Sequence, residues 1–456
     1  MTARVGNGYE PYEVGPLCDL SGETGELRGG EMPVASGRPA IRPVTDSALA
    51  PLVRKYTEVL VRRFVPIFLA LAITVAGGGC GAGLGGDDKP QRPLRLGLIA
   101  PLTGNYEPLG RDHKKAVELA VEEVNAAGGV LGHKIEIIVK DDRSTPDQSA
   151  ANFTEIKDRV DLVIGSAFSN CALATIPLAE QAKVPYLSLA PADEQVDPVR
   201  PYVFVVPAIS SKYAERLLQY FQATGVTKLA VAYDTKSSYA VAGFRGMQAK
   251  ASTYGVTIVA AEEFQTSTPD FAPMFAKVKP SGAQALTIWA TGPPAVTATK
   301  QYAAAKVGIP LVLTGAQASR LFLDPAGAAA EGVTIASSIG VVGPYLPDGP
   351  LKDTIGNLSR SFRGLYRYAP PQFAQDGYSA VRLLVAAVEH AKSIDRSQVR
   401  NSLEKVNLVT PNGVYAYSPT DHSGLTTDFI AVTRVDGGTM IPTDWARSQF
   451  AAATNR

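Results

Sequence analysis

From Leu94 onward, short apolar β-prone runs alternate with amphipathic helical stretches, and that rhythm constrains the fold more than any other feature of the chain. Residues 94–100 read as a strand, Pro101-Leu-Thr-Gly104 as a turn, and residues 111–127 as a helix with Val117, Ala120, Val121 and Val124 on one face. Gly128-Gly129 stops that helix. Residues 134–139 form the next strand, and Ser144-Thr-Pro146 opens a helix with proline at a tolerated first-turn position. Further strands are predicted at 160–164, 186–190, 229–233, 257–260, 285–289 and 311–313. Continuous apolar strands separated by amphipathic helices predict an α/β fold, its parallel sheets covered on both faces. Two successive sets predict two lobes. Ligands of open α/β sheets bind beyond the carboxyl ends of the strands, so site residues are expected in the turns after them.

The first ninety residues follow a different logic. Residues 1–52 are rich in Gly, Pro, Ser and Glu without persistent period, which predicts a disordered leader or translation from a start upstream of the true one. Arg54, Lys55, Arg62 and Arg63 then precede an apolar run at 64–76 and Gly77-Gly-Gly-Cys80. A basic flank, a short apolar core and a small-residue zone make a secretory signal at 53–80. The run is short of the ~20 residues that span a bilayer as a helix. Gly81-Ala-Gly-Leu-Gly-Gly86 fits a dinucleotide fingerprint in letters, but no strand precedes it and Asp87-Asp-Lys-Pro follows where a helix should open. Residues 81–93 are therefore read as a flexible tether.

Composition narrows the function. Lys plus Arg total 44 against 43 Asp plus Glu, so the chain carries no electrostatic footprint for nucleic acid. Cys18, Cys80 and Cys171 are too few and too widely spaced for a zinc site or a disulfide framework, and the four histidines are scattered singly, so no metal and no cofactor are expected. No nucleophile elbow, zincin helix or phosphate loop occurs. Ser169, Asp421 and His422 would make a triad on paper, yet His422 sits in Pro419-Thr-Asp-His-Ser-Gly424, which reads as a surface turn. A non-enzyme is expected. Cys171 reads as a small buried hydrophobe.

Several segments resemble, in order, the leucine/isoleucine/valine-binding protein family, the type I periplasmic solute-binding proteins of ABC importers. They are Leu98-Ile-Ala-Pro-Leu-Thr-Gly104, Val121-Glu-Glu-Val-Asn-Ala-Ala-Gly-Gly-Val-Leu-Gly132, Val139-Lys-Asp-Asp142, Val163-Ile-Gly-Ser166 and Val184-Pro-Tyr-Leu-Ser188, followed by Phe373-Ala-Gln-Asp-Gly-Tyr378 and Asn412-Gly-Val-Tyr-Ala-Tyr-Ser-Pro419. The resemblance covers about residues 94–442. It implies two Rossmann-like lobes joined by three hinge crossings: 94–208 with 338–426, and 209–337 with 427–445, leaving 446–456 as a tail. It further implies an extracytoplasmic monomer that closes on a branched-chain amino acid or related small carboxylate and docks on a membrane permease. The alternative is a sensor for aromatic or aliphatic carboxylic acids that acts with a partner. Cys80 resembles a lipoprotein cysteine that would tether the chain to the membrane, although Gly77 stands where the pattern usually has Leu.

The resemblance also implies a site. Ser169, after the third strand, matches the serine that holds the ligand carboxylate, at a helix start suited to anions; the competing reading is a helix cap. After the fourth strand the Ala190 carbonyl would accept from a ligand ammonium, and Ala192 stands where the family usually has a hydroxyl. Tyr239 matches the tyrosine that closes over the ligand from the second lobe. Tyr106 lies in the first turn beside Leu109, which aligns with a family aromatic, while Phe373 and Tyr378 offer an apolar wall or core packing. The departure follows Leu313: Thr314-Gly-Ala316-Gln317 lacks the acidic residue that would pair with an ammonium. Asp193, Glu194 and Asp376 are substitutes the sequence does not place. A ligand without an α-ammonium is the expectation that follows.

Overall fold

A computed structural model describes residues 91–454. The leader, the apolar run, Cys80 and the tether up to residue 90 lie outside the described residues. Among the described residues no helix is long and apolar enough to cross a membrane.

The first sheet is built from β1 (Leu94–Ala100), β2 (Ile135–Asp141), β3 (Leu162–Gly165), β4 (Tyr186–Ser188) and β5 (Val203–Val205), in the order β2-β1-β3-β4-β5 and wholly parallel. Its crossovers carry α1 (Glu107–Ala126), α2 (Pro146–Ile156) and α3 (Ser169–Ala182). The chain then leaves this sheet through α4 (Ser210–Thr224) and repeats the pattern with β6 (Lys228–Asp234), α5 (Ser238–Lys250), β7 (Thr257–Phe264), α6 (Ala272–Val278), β8 (Ala285–Trp289), α7 (Pro293–Ala305), β9 (Leu311–Leu313), α8 (Arg320–Ala326) and β10 (Thr334–Ser338). It returns toward the first sheet through α9 (Pro350–Tyr366), α10 (Gln372–Ala391), α11 (Arg396–Leu403) and the hairpin β11 (Asn407–Thr410) and β12 (Gly413–Ala416). A third passage adds β13 (Ile430–Asp436), β14 (Thr439–Pro442) and α12 (Asp444–Thr454) to the second half. The second sheet runs β14-β13-β10-β9-β8-β6-β7, parallel except for β13, which lies antiparallel to both its neighbours. Two α/β lobes with parallel-rich sheets are what the strand–helix rhythm predicted, and the three passages of the chain between them are what the family resemblance implied.

Burial on both faces explains why the strands are continuously apolar. Along β1, Leu96, Leu98 and Ala100 point into one cluster and Ile99 into another, all fully buried. In β8, Ala285 and Trp289 face one cluster while Leu286 and Ile288 face the other. The apolar stripe of α1 (Val117, Ala120, Val121, Val124) is buried as its period required. Each valine removed from water contributes about 1.5–3 kcal/mol.

α10 packs along α1, and at Gly377 the two backbones come close. A Cβ there would stand 2.6 Å from the His113 carbonyl oxygen. The missing side chain lets the two backbones meet, and that places the preceding residue, Asp376, beside His113.

Candidate ligand-binding site

A cavity of about 30 Å³ opens beyond the carboxyl ends of the strands, between the two halves. The first half supplies Leu109 of α1, Ala167 and Phe168 of the β3–α3 turn, Ser169, and Leu189 and Pro191 after β4. The second supplies Tyr213 of α4, Tyr239 of α5, Thr291 after β8, and Gly315 and Ala316 after β9. α10 adds Gln372, Phe373 and Asp376 from its first turns.

Ser169 is the first residue of α3, and its hydroxyl does not cap the helix. The cap position is Phe168, in extended conformation. Ser169 is 1% exposed, and its Oγ has no hydrogen-bond partner among the described residues. A buried hydroxyl left unpaired costs about 1–3 kcal/mol unless something else supplies the bond. It lies beside the first N–H groups of a 14-residue helix, which have no intrahelical acceptor and carry the positive end of the macrodipole. Behind this turn, the Ser166 hydroxyl donates to the buried Asp142 carboxylate, which also accepts from the Ser144 N–H at 2.9 Å. Burial pushes the Asp142 carboxyl up to about 6, with the Ser166 and Ser144 hydrogen bonds opposing.

The residues singled out in the sequence divide into two groups. Ser169, Tyr239, Ala316 and Phe373 line the cavity. The Tyr239 phenol is aimed by its bond to the Thr314 hydroxyl, 2.5 Å away. Tyr106 stands one layer back, stacked on Phe168 with ring centroids 4.1 Å apart. The side chain of Gln317 is turned away to the Ala290 carbonyl, 2.9 Å, and completes a capping box with Thr314. Ala190 and Ala192 do not reach the cavity. Both their carbonyls accept from the Gln195 amide, at 2.7 and 2.9 Å, so the acceptor expected for a ligand ammonium is already occupied within the fold. The flanking Leu189 and Pro191 face the cavity instead.

Asp376, one of three carboxylates the sequence could not place, lines the cavity. Asp193 instead accepts from the Ser211 N–H at the start of α4, and Glu194 faces Arg245 at 3.5 Å. Phe168, Tyr213, Thr291 and Gln372 were missed; only their positions just after a strand or at a helix start could have pointed to them. Tyr378 is turned away and donates to Glu123. The surface-turn reading of His422 is corrected: the turn at 419–421 is exposed, but His422 is fully buried. Its ring stacks on Phe204 and bonds to the Val203 carbonyl and Glu404. That commitment leaves no triad with Ser169. Cys171 is buried with Tyr106 and Phe168, and burial raises its thiol pKa. Among the described residues no cluster of His, Cys, Asp or Glu is arranged to hold a metal.

A family model described as "periplasmic binding protein" matches residues 93–439. Leu/Ile/Val-binding protein homolog 7 of Brucella abortus (strain 2308) is 28% identical over 202 residues, 42% of this chain and 50% of that protein. The chain thus spans about half the length of the curated relatives it matches. Among solved structures, a solute-binding protein of an ABC transporter from R. palustris, in complex with benzoate, superposes with a TM-score of 0.68 at 21% identity, covering 77% of this chain and 95% of the other. The branched-chain amino acid transporter binding protein LivJ of Streptococcus pneumoniae, in complex with isoleucine, gives 0.67 at 22% identity, covering 76% and 97%. At these identities the likeness speaks to the fold.

Proposed function

The chain belongs to the periplasmic binding protein family, and on that footing we propose that it is the extracytoplasmic solute-binding component of an ABC importer. Its cavity would hold a small carboxylate, a branched-chain amino acid or a related acid. The observation that carries this reading is the Ser169 hydroxyl, buried at a helix start on the cavity wall and without a hydrogen-bond partner among the described residues. A ligand carboxylate would satisfy that hydroxyl and the neighbouring N–H groups together. The known ligands of two structural neighbours, isoleucine and benzoate, share that carboxylate.

The action would be capture without covalent change. Residues 94–208 with 338–426 would hold the anion, and 209–337 with 427–445 would close over it. Closure selects a ligand by its differential affinity for the open and closed states. A lipid on Cys80 would tether the monomer beside its permease; mass spectrometry of the native protein would find the diacylglyceryl adduct at Cys80, and a free thiol there would remove the tether.

The test of the central reading is thermal stabilisation by a panel of small carboxylates. A ligand present at about a hundred times its Kd stabilises by about 2.7 kcal/mol. Stabilisation by at least one small carboxylate, lost in Ser169→Ala, is the expected result. Stabilisation by none of the panel would overturn the reading.

A further inference from the structure

Among the described residues that line the cavity, Asp376 alone carries a formal charge. It is 2% exposed and receives one strong bond, from the Asn412 amide at 2.6 Å. The group behind it able to become a cation is His113, whose Nε2 stands 3.8 Å from the carboxylate, beyond hydrogen-bond reach. His113 is wholly buried, and neither of its ring nitrogens has a hydrogen-bond partner among the described residues. The other titratable groups facing Asp376 are the buried phenols of Tyr213 and Tyr415, which supply no cation.

A carboxylate buried this deeply is costly, and burial pushes the Asp376 carboxyl up, opposed by the nearby His113 and by the Asn412 hydrogen bond. It would also repel an anionic ligand in so small a cavity. A ligand cation removes both penalties at once. The position matters as well. Where the resembling family carries its acid, after β9, this chain presents Ala316 to the cavity and turns Gln317 away to the Ala290 carbonyl. The second half contributes only neutral groups: Tyr213, Tyr239, Thr291, Gly315 and Ala316.

Resting on the reading that the cavity takes a small carboxylate at Ser169, we infer that Asp376 is its specificity-determining residue, binding the ammonium of a zwitterionic ligand from α10. Ser169 and Asp376 both belong to elements packed with the first half of the fold. Both charged ends of the ligand are therefore held there, and the second half closes over it with an uncharged surface. The amine-free ligand expected from the sequence around Ala316 gives way to a small apolar amino acid.

The experiment compares leucine with isocaproate, its amine-free analogue, by titration calorimetry at neutral pH. The unaltered protein is expected to bind leucine roughly 30-fold or more tightly than isocaproate, the discrimination of a buried charge pair. Asp376→Asn is expected to abolish that preference, weakening leucine and, with the repelling charge gone, tightening isocaproate. Equal affinity for both compounds in the unaltered protein, or a preference for isocaproate, overturns the inference without needing the variant to fold, and leaves the carboxylate reading standing. A leucine preference that survives Asp376→Asn overturns it too. Binding of neither compound, nor of any acid in the wider panel, removes the carboxylate reading and this inference with it.

Discussion

The side-chain amide of Asn170 joins the two halves of the fold: its oxygen accepts from the Ser238 N–H at 3.0 Å, and its nitrogen donates to the Lys236 carbonyl at 2.9 Å. Asn170 lies in the first turn of α3, one residue after Ser169, and Ser238 opens α5, one residue before Tyr239. Both bonds require the halves to be closed on one another. Asn170→Ala should weaken ligand binding by about 3- to 15-fold, the worth of one or two partly exposed hydrogen bonds. The loss should appear in the dissociation rate, measured by stopped-flow fluorescence, because the contact holds the closed form. An unchanged dissociation rate would show that closure does not depend on Asn170.

Ser169→Ala separates a binding role from a structural one. A hydroxyl that caps a helix stabilises it, so its removal costs about 0.5–2 kcal/mol. Ser169 does not cap α3 and has no hydrogen-bond partner among the described residues. Urea denaturation without ligand should therefore show unchanged stability, or a gain of up to about 1 kcal/mol, on deleting this unsatisfied buried group. Affinity for a carboxylate ligand should fall by about 10- to 150-fold, the value of a hydrogen bond to a charged group. Stability and affinity falling together would return Ser169 to a structural role.

The sequence revealed most where period and chemistry coincide. β1, β8 and β9 begin and end where their apolar runs do, because the residues at their ends, Leu94, Ala100, Ala285, Trp289, Leu311 and Leu313, are all apolar and buried. β5, β10 and the four later strands β11 to β14 went unseen. β5 is a three-residue strand, too short to establish a period, and β10, Thr334-Ile-Ala-Ser-Ser338, is half polar although wholly buried. Its Ser338 is satisfied by Gln372 and Gln375 of α10, a pairing across more than thirty residues that no local pattern announces. The cavity follows the same rule. Ser169 and Tyr239 are legible from the turns that carry them. Asp376 is not, because its place depends on Gly377 letting α10 meet α1 at His113. Ala190 misled because the competing donor, Gln195, lies five residues on in a short 3₁₀ turn.

Asp142 should leave a pH signature. Burial raises its carboxyl from the ordinary value of about 3.9 to about 6 in the folded protein. The folded state therefore favours the protonated form. Its contribution is fully present below about pH 4 and is lost as pH rises through about 6. Asp142→Asn keeps the shape of the protonated side chain and cannot ionise. The stability of the variant minus that of the natural protein, from urea denaturation across the pH range, should grow by about 1–3 kcal/mol between pH 4 and 7. A flat difference would mean that Asp142 is not held away from ionisation.

One substitution made at two helical glycines should act in opposite directions. In α5 a Cβ on Gly243 would fall 2.2 Å from ring carbons of the fully buried Trp289, which must then move. Trp289 also stands edge-on to Tyr239 at 5.3 Å, and its indole N–H points at Met247 Sδ, 3.4 Å away. The displacement therefore passes to a cavity wall. In α9 a Cβ on the exposed Gly364 meets nothing within 4 Å. Gly364→Ala should stabilise by about 0.5–1 kcal/mol through helix propensity alone and leave ligand affinity unchanged. Gly243→Ala has the same propensity gain but overpacks the core, so it should destabilise by about 1–3 kcal/mol net. It should also shift the tryptophan emission and weaken the ligand through Tyr239. Thermal unfolding, emission spectra and calorimetry on the two variants check all three effects. A Gly243→Ala protein as stable as Gly364→Ala would mean that the ring yields without cost and that Trp289 does not brace Tyr239 over the cavity.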